Sequence, residues 1–319
     1  MTSLDGPRTV RGTIIKGVGG LYTVISDDGE RFVCPARGIL RHENVTPLVG
    51  DEVDVTVGGG EEGSAAVGHV IQRKNSLVRP PVANLSHLFV VIPSAKPKPD
   101  LVTVDKLISI CEVREIEPVV VVNKCDLDPL ETARIKGIYE GAGFTCFALS
   151  AATGDGCGAL LDYLHGEAEK SPVRAAFAGV SAAGKSTLMK RLFPSLDLKT
   201  GDVSRKIERG RHTTRHVELF PVTDDGRCLI ADTPGFSLLD FAKFNFCSLA
   251  ELPFTFREFA DCLGKCRYTK CTHTKEEGCA VLEKMARGEI SEERHRSYAA
   301  LYDEIKQTPE WKRKRDADM

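Results

Sequence analysis

The sequence predicts a multidomain α/β protein, and three changes of texture along its 319 residues carry that expectation. Up to about residue 80, short β-branched runs alternate with turn clusters. From 81 to about 245, continuous apolar runs alternate with helical stretches. From 246 to 319 the strands stop, and a cysteine-rich segment leads into helix. The expected domains are therefore 1–80, 81–245 and 246–319, a division that a chain of this length accommodates.

In the first part, candidate strands at Gly12–Ile15, Leu21–Ile25, Arg31–Cys34, Glu52–Val57 and Gly68–Ile71 are separated by turn sequence. Ser26-Asp27-Asp28-Gly29-Glu30 reads as a hairpin turn, and Gly58-Gly59-Gly60 as a loop. Several short strands in so few residues suit a small closed β-barrel, of which the OB-fold is the common nucleic-acid-binding version. A barrel that only packs on its neighbour is the alternative. Arg79-Pro80-Pro81 punctuates the boundary.

Beyond it, Leu88–Ile92 and Pro118–Val122 are continuous apolar runs, as expected for strands buried on both faces, and Phe144–Leu149 and Val173–Ala178 look similar. Helical stretches lie near 100–114, 129–141, 156–169 and 184–192. Strands alternating with helices imply a parallel, doubly wound sheet. In the last part, helical sequence breaks near Arg287-Gly288 and runs on to about Lys306, before a basic tail at Trp311–Arg315.

Composition narrows the function classes. Hydrophobic residues make up 42% and charged residues 28%, and 43 Lys plus Arg stand against 45 Asp plus Glu, a net charge of −2. A polycation is excluded, so any nucleic-acid contact must use local basic patches. No apolar run is long enough to cross a bilayer, and Met1–Arg8 lacks the apolar core of a secretory signal. The expected setting is the cytoplasm, with no membrane partner. Eleven Cys is an odd count, with four of the last five between Cys262 and Cys279. That clustering reads as metal binding in a reducing compartment, not as a disulfide framework.

Gly179-Val180-Ser181-Ala182-Ala183-Gly184-Lys185-Ser186 fits the phosphate-binding P-loop, after an apolar run and before a helical stretch that continues with Thr187. Glycines let the backbone wrap phosphates, and successive N–H groups with the helix N-terminus supply positive potential. Lys185 should reach the β- and γ-phosphates, and the Ser186 hydroxyl should bind Mg²⁺. Asp232-Thr233-Pro234-Gly235 follows the apolar stretch Arg227–Ala231. Alone it is an ordinary turn. After a P-loop, the Asp232 carboxylate can hold Mg²⁺ through water, and the Gly235 N–H can sense a γ-phosphate.

Asn123-Lys124-Cys125-Asp126 directly follows Val119–Val122, where loops at strand C-termini bind ligands in open α/β sheets. A carboxylate at Asp126 can take both donors of guanine's N1–H and N2–H₂ edge, a pair that adenine lacks. Ser150-Ala151, after Phe144–Leu149, would back the base with a main-chain N–H. Together these are the motifs of a GTPase, binding GTP and GDP with Mg²⁺. Their order is unusual, because the guanine motifs at 123 and 150 precede the phosphate motifs at 179 and 232. Circular permutation explains it, since the loops need to converge in space and not in sequence.

Cys266-x₄-Cys271-x-His273-x₅-Cys279 supplies three thiolates and an imidazole, a structural zinc set with no open position. Cys262 is a spare that could compete with Cys266. The remaining cysteines are scattered and read as core or loop thiols.

With these motifs assembled, the chain resembles the ribosome small-subunit-dependent GTPase A family, the circularly permuted GTPases of small-subunit assembly. The resemblance spans nearly the whole chain. It rests on Arg37-Gly38, Val49-Gly50-Asp51, Arg79-Pro80-Pro81-Val82-Ala83-Asn84, the four GTPase motifs, Gly210-Arg211-His212-Thr213-Thr214 and the Cys/His cluster. It implies an OB-fold, a permuted GTPase domain and a C-terminal helical zinc domain. It also implies weak intrinsic GTP hydrolysis stimulated by the small ribosomal subunit, with 16S-type rRNA as a partner and a monomeric chain. Family spacing selects Cys266 over Cys262 as the zinc ligand. Two departures stand out: Ala182-Ala183 replaces the usual Gly-Val, a change expected to be sterically mild, and Arg215 stands where a third Thr is common. The switch Mg²⁺ ligand is therefore placed at Thr214, with Thr213 the second choice.

Phe236 follows Gly235 where many GTPases place a water-orienting Gln. His212 matches the family's catalytic His; an ordinary surface His is the alternative. Residues 199–215 hold six Lys or Arg against Asp202 and Glu208, a net of +4, which suits an RNA-facing switch or a solvated loop. Trp311 with Lys312–Arg315 suits RNA stacking or a solvated tail. The competing function is an RNA-binding module whose affinity GTP switches, with hydrolysis incidental.

Overall fold

The computed structural model describes residues 8–58, 65–78, 80–194, 196, 217–223, 225–232 and 247–308. The contacts group the chain into two compact units, one of 1–86, 163–176 and 195–235, the other of 87–162, 177–194 and 236–319.

The first unit opens with β1 (Arg8–Val18), β2 (Leu21–Ser26) and β3 (Arg31–Pro35), followed by α1 (Gly38–His42), β4 (Glu52–Val57) and β5 (Ala65–Val70). A bulge between Ile14 and Lys16 bends β1. Its first half pairs with β4, from Arg8 opposite Val57 to Thr13 opposite Glu52, and its second half with β2. Gly12 sits at the crossing, where a side chain would meet Ile25 O at 2.5 Å. The β2–β3 turn is the expected one, with Gly29 at φ +83 and its N–H donating to Ser26 O (2.9 Å). A parallel bridge from Ala36 to Val67 brings β5 to the end of β3. The resulting closed order, β1-β2-β3-β5-β4, is the OB-fold path. Alternation along the strands turns Val24, Phe32, Cys34, Val53, Val55 and Val67 into its core.

The motifs Val49-Gly50-Asp51 and Asn84 have a structural role. Buried Asp51 accepts two bonds from Arg73 (2.7 and 2.8 Å) and one from the Leu48 N–H (2.7 Å). Gly50, at φ +91, lies so close to Ala83 O that a Cβ would sit 2.1 Å away, and Asn84 Nδ2 donates to Gly50 O (3.0 Å). These bonds fasten the ribbon of β6 (Ser76–Val78) and β7 (Pro81–Ala83) to the barrel.

The same unit contains β12 (Glu218–Pro221) and β13 (Cys228–Asp232), which pair antiparallel, and the start of β11 (Val173–Gly179), parallel to β13. β12 meets β1 where Lys16 opposes Glu218, with an ion pair of 2.8 Å. An antiparallel strand here was not expected from the sequence. Four residues ending in Pro221 are too short to print a period.

The second unit holds β8 (His87–Pro93), β9 (Glu117–Asn123) and β10 (Cys146–Leu149), parallel in the order β10-β9-β8 with β11 beyond. Every residue of β8 and β11 is buried, which is why both read as largely apolar runs. The exceptions are His87, which opens β8, and Arg174 of β11, whose guanidinium bonds Thr13 (2.9 Å) and Glu52 (3.0 Å). α2 (Leu101–Val113) and α3 (Pro129–Gly141) start at Asp100 and Asp128, whose carboxylates cap Val102 and Glu131 N–H groups. α4 (Cys157–Lys170) and α5 (Lys185–Leu192) complete the alternation.

The C-terminal segment belongs to this unit. Two 3₁₀ turns (Leu252–Thr255, Arg257–Cys262) precede α6 (Ala280–Ala286) and α7 (Glu292–Gln307), with Gly288 at φ +76 at the expected break. Phe256, Phe259 and Tyr298 form its core. Arg294 of α7 is buried beneath it, bonded to Asp105 of α2 (2.5 Å) and Glu258 (2.7 Å), with its guanidinium 4.5 Å from the Phe256 ring centre. Among the described residues no helix is long and apolar enough to cross a membrane.

Candidate functional site

β11 ends at Gly179 and turns into α5 through residues 180–184. Both motif glycines are sterically required. A Cβ at Gly179 would meet Val91 O at 2.4 Å, and Gly184, at φ +92, lies where a Cβ would be 2.3 Å from Asn123 Nδ2. Lys185 Nζ folds back onto the loop, donating to Gly179 O (2.7 Å) and Val180 O (3.1 Å), and burial lowers its pKa. Ser181 and Ala182 are exposed on the turn, Ala183 is buried, and Ser186 and Thr187 are exposed in the first turn of α5.

Asn123 joins this loop to the guanine motifs. Its buried side chain donates from Nδ2 to Ala183 O (2.8 Å), and its Oδ1 accepts the N–H groups of Lys124 (2.8 Å) and Ala151 (3.0 Å). One amide thus ties three loops. Lys124, at φ +70, sends Nζ to Lys96 O (2.6 Å). Asp126 is exposed at the tip of a turn closed by Leu127 N–H to Lys124 O (2.9 Å). Buried Ser150 holds the facing loop through its own N–H to Asp155 O (2.9 Å) and by accepting the Thr153 N–H at Oγ (3.2 Å). The Ala151 N–H, which the sequence reading directed at the base, is bonded to Asn123.

Arg191 was not singled out from the sequence. From the last turn of α5 it donates Nη2 to Ala152 O (2.7 Å) and Nε to Ala151 O (3.3 Å). A basic residue ending a helix looks like a partner for the helix dipole, so nothing in the pattern distinguishes this one. Asp232 closes β13, the strand beside β11. Gly235, His212, Thr213 and Thr214, together with Phe236 and the Trp311 tail, lie outside the described residues.

A second cluster forms in the C-terminal segment. One ligand atom from each of Cys266, Cys271, His273 and Cys279 lies within 4.8 Å of the others, so together they could hold one metal ion. Cys262 Sγ is directed elsewhere, at Ala280 O (3.6 Å). Burial, with the Cys279 and Cys266 thiols alongside, pushes Cys271 up to about 12, while burial keeps His273 neutral by lowering its pKa. Thiolates in such a place need a cation beside them. The loop is buttressed from α7, where Tyr298 donates to Thr272 O (2.8 Å) and His295 Nε2 to His273 O (2.8 Å).

Residues 70–242 match the model of the RsgA GTPase family, and residues 11–64 that of the RsgA N-terminal domain. The chain belongs to the RsgA GTPase family. Among curated RsgA proteins, each named small ribosomal subunit biogenesis GTPase, that of Ruminiclostridium cellulolyticum is 36% identical over 95% of this chain and 96% of its own. That of Halalkalibacterium halodurans is 39% identical over 93% and 97%. Of solved structures, YjeQ from Thermotoga maritima superposes with a TM-score of 0.79 at 32% identity, covering 95% of this chain and all of that one. YloQ, described as a circularly permuted GTPase, gives 0.74 at 27% identity over 95% and 97%. The motif order of this chain, guanine motifs before phosphate motifs, agrees with that description of YloQ.

Within the RsgA P-loop, the Ala182 departure is not sterically mild. Ala182 has φ +62, a left-handed conformation that costs a residue with a Cβ about 1 kcal/mol more than glycine. Ala182→Gly should therefore raise unfolding free energy by up to about 1 kcal/mol in denaturant titration. A neutral or destabilising result would show that the loop relaxes around alanine.

Proposed function

We propose that this RsgA GTPase hydrolyses GTP to GDP and phosphate as a step in biogenesis of the small ribosomal subunit, binding its 16S-type rRNA. The observation that carries this reading is the Asn123 side chain, which couples a guanine-type loop to a P-loop in one buried hydrogen-bonded unit. Asp126 takes the N1–H and N2–H₂ edge of the base, and Ser150 and Ala151 shape the loop beside it. Residues 179–187 wrap the phosphates. Lys185 exchanges the carbonyls of Gly179 and Val180 for phosphate oxygens, whose negative charge favours the ammonium that burial disfavours. Ser186, Thr214 and Asp232 would hold Mg²⁺, whose role is to offset phosphate charge, and the Gly235 N–H would meet the γ-phosphate.

His212 is assigned the orientation of the attacking water in the subunit-bound state, since the Phe236 ring cannot orient it. His212→Ala should keep GTP binding and subunit docking while stimulated hydrolysis falls about 10²-fold. Turnover within a few-fold of the parent chain would make His212 a surface residue.

The Cys₃His cluster is assigned one structural zinc. Tetrahedral Zn²⁺ with Zn–S of about 2.3 Å and Zn–N of about 2.0 Å separates two sulfurs by about 3.8 Å and sulfur from nitrogen by about 3.5 Å. Cys266 and Cys279 Sγ are 3.9 Å apart, and each is 3.5 Å from His273 Nδ1. The division into an OB domain (1–80), a permuted GTPase domain (81–245) and a zinc domain (246–319), a monomeric state and a cytoplasmic location complete the proposal.

Sedimentation with purified small subunits tests it. The chain should pellet with them when a non-hydrolysable GTP analogue is bound and stay in solution with GDP. Equal pelleting with both nucleotides, or none with either, contradicts it.

A further inference from the structure

We propose that Arg191 is a positioning residue for guanine recognition: its fork on the Ala151 and Ala152 carbonyls aims the Ala152 N–H at O6 of the base. The proposal rests on the GTP reading above and deepens it. The Ala151 N–H is bonded to Asn123 Oδ1, the Thr153 N–H to Ser150 Oγ and the Gly154 N–H to Ser150 O. Between them, Ala152 is exposed, and no acceptor for its N–H lies among the described residues. The carbonyl of Ala151 and the N–H of Ala152 share one planar trans peptide, so they point in opposite directions. Arg191 Nε on Ala151 O (3.3 Å) fixes that plane, and Nη2 on Ala152 O (2.7 Å) fixes the next. A planar guanidinium presents such a pair of donors in a rigid fork.

Arg191 also belongs to the helix that begins with Lys185 and Ser186. Ordering that helix on phosphates therefore holds the loop that meets the base. Phosphate and base recognition become coupled through one side chain, which a residue merely capping the helix dipole would not do.

The test measures binding of GDP and of 6-thio-GDP, in which sulfur replaces the O6 acceptor, to the full chain and to Arg191→Ala and Arg191→Lys. The parent chain should bind the sulfur analogue several-fold more weakly. Arg191→Ala should bind GDP about tenfold more weakly and no longer distinguish the two ligands. Arg191→Lys should recover part of both, because one ammonium can reach one carbonyl. If Arg191→Ala keeps the parent discrimination against sulfur, whether or not affinity falls, the proposal is overturned and Arg191 is structural or idle. If Arg191→Ala is too unstable to assay, Arg191→Lys decides alone: full parental discrimination overturns the proposal. A parent chain that binds ADP as tightly as GDP overturns the underlying reading instead, and the proposal with it.

Discussion

Asp126→Asn is expected to exchange one nucleotide for another. Affinity for GTP should fall about 10³-fold or more, and xanthosine triphosphate should bind in its place. In the proposed site the carboxylate would accept two hydrogen bonds from guanine, at N1–H and the N2 amine. An asparagine amide offers one acceptor and one donor, which matches the N1–H and O2 of xanthine and leaves guanine's amine facing another donor. Asp126 is exposed at the tip of its turn, while Asn123 behind it carries the bonds that hold the loops. The substitution therefore perturbs recognition and leaves the fold alone. Competition binding with the two triphosphates measures the exchange, and unchanged GTP affinity would remove Asp126 from the site.

Cys271→Ser should release the zinc proposed for the cluster, about one equivalent per chain, and unfold the loop between its ligands. Residues 263–279 contain no helix or strand, so they depend on the ligand set together with the bonds of Tyr298 and His295 to the Thr272 and His273 carbonyls. The loss should be local. Arg294 pairs with Asp105 and Glu258 and packs on Phe256 independently of the cluster, so α7 stays in place. Amide exchange should rise across the loop and remain protected in α7, with GTP affinity retained. A metal-free protein with parental protection across 263–279 would remove zinc from the account.

Much of this fold is legible in the sequence, for a physical reason. Strands buried on both faces print as largely apolar runs, as Leu88–Ile92 in β8 and Ala175–Ala178 in β11 do, while buried Arg174 of β11 is accommodated by its bonds to Thr13 and Glu52. The barrel strands print as alternation, and the P-loop prints its glycines because Gly179 and Gly184 have no room for a side chain. The break between α6 and α7 shows as Arg287-Gly288 because Gly288 takes a positive φ.

What stays hidden depends on partners far away in the chain. Asn123 is a motif residue, but its bond to Ala183, 60 residues on, appears only in three dimensions. Arg294 carries no signal in the sequence that separates it from the other charged residues of α7, yet it is buried against a carboxylate 189 residues away. Arg191 is hidden in the same way, since its acceptors are alanine carbonyls that carry no side-chain signature. Ala182 reads as a small, harmless replacement because composition does not reveal the sign of φ.

The most direct measurement is GTP turnover by the purified chain alone, with small ribosomal subunits, and with large ones. A GTPase of small-subunit biogenesis should turn over slowly alone, be strongly stimulated by small subunits and be indifferent to large ones. Turnover that stays flat with small subunits would contradict the account and leave an RNA-binding module whose affinity GTP switches.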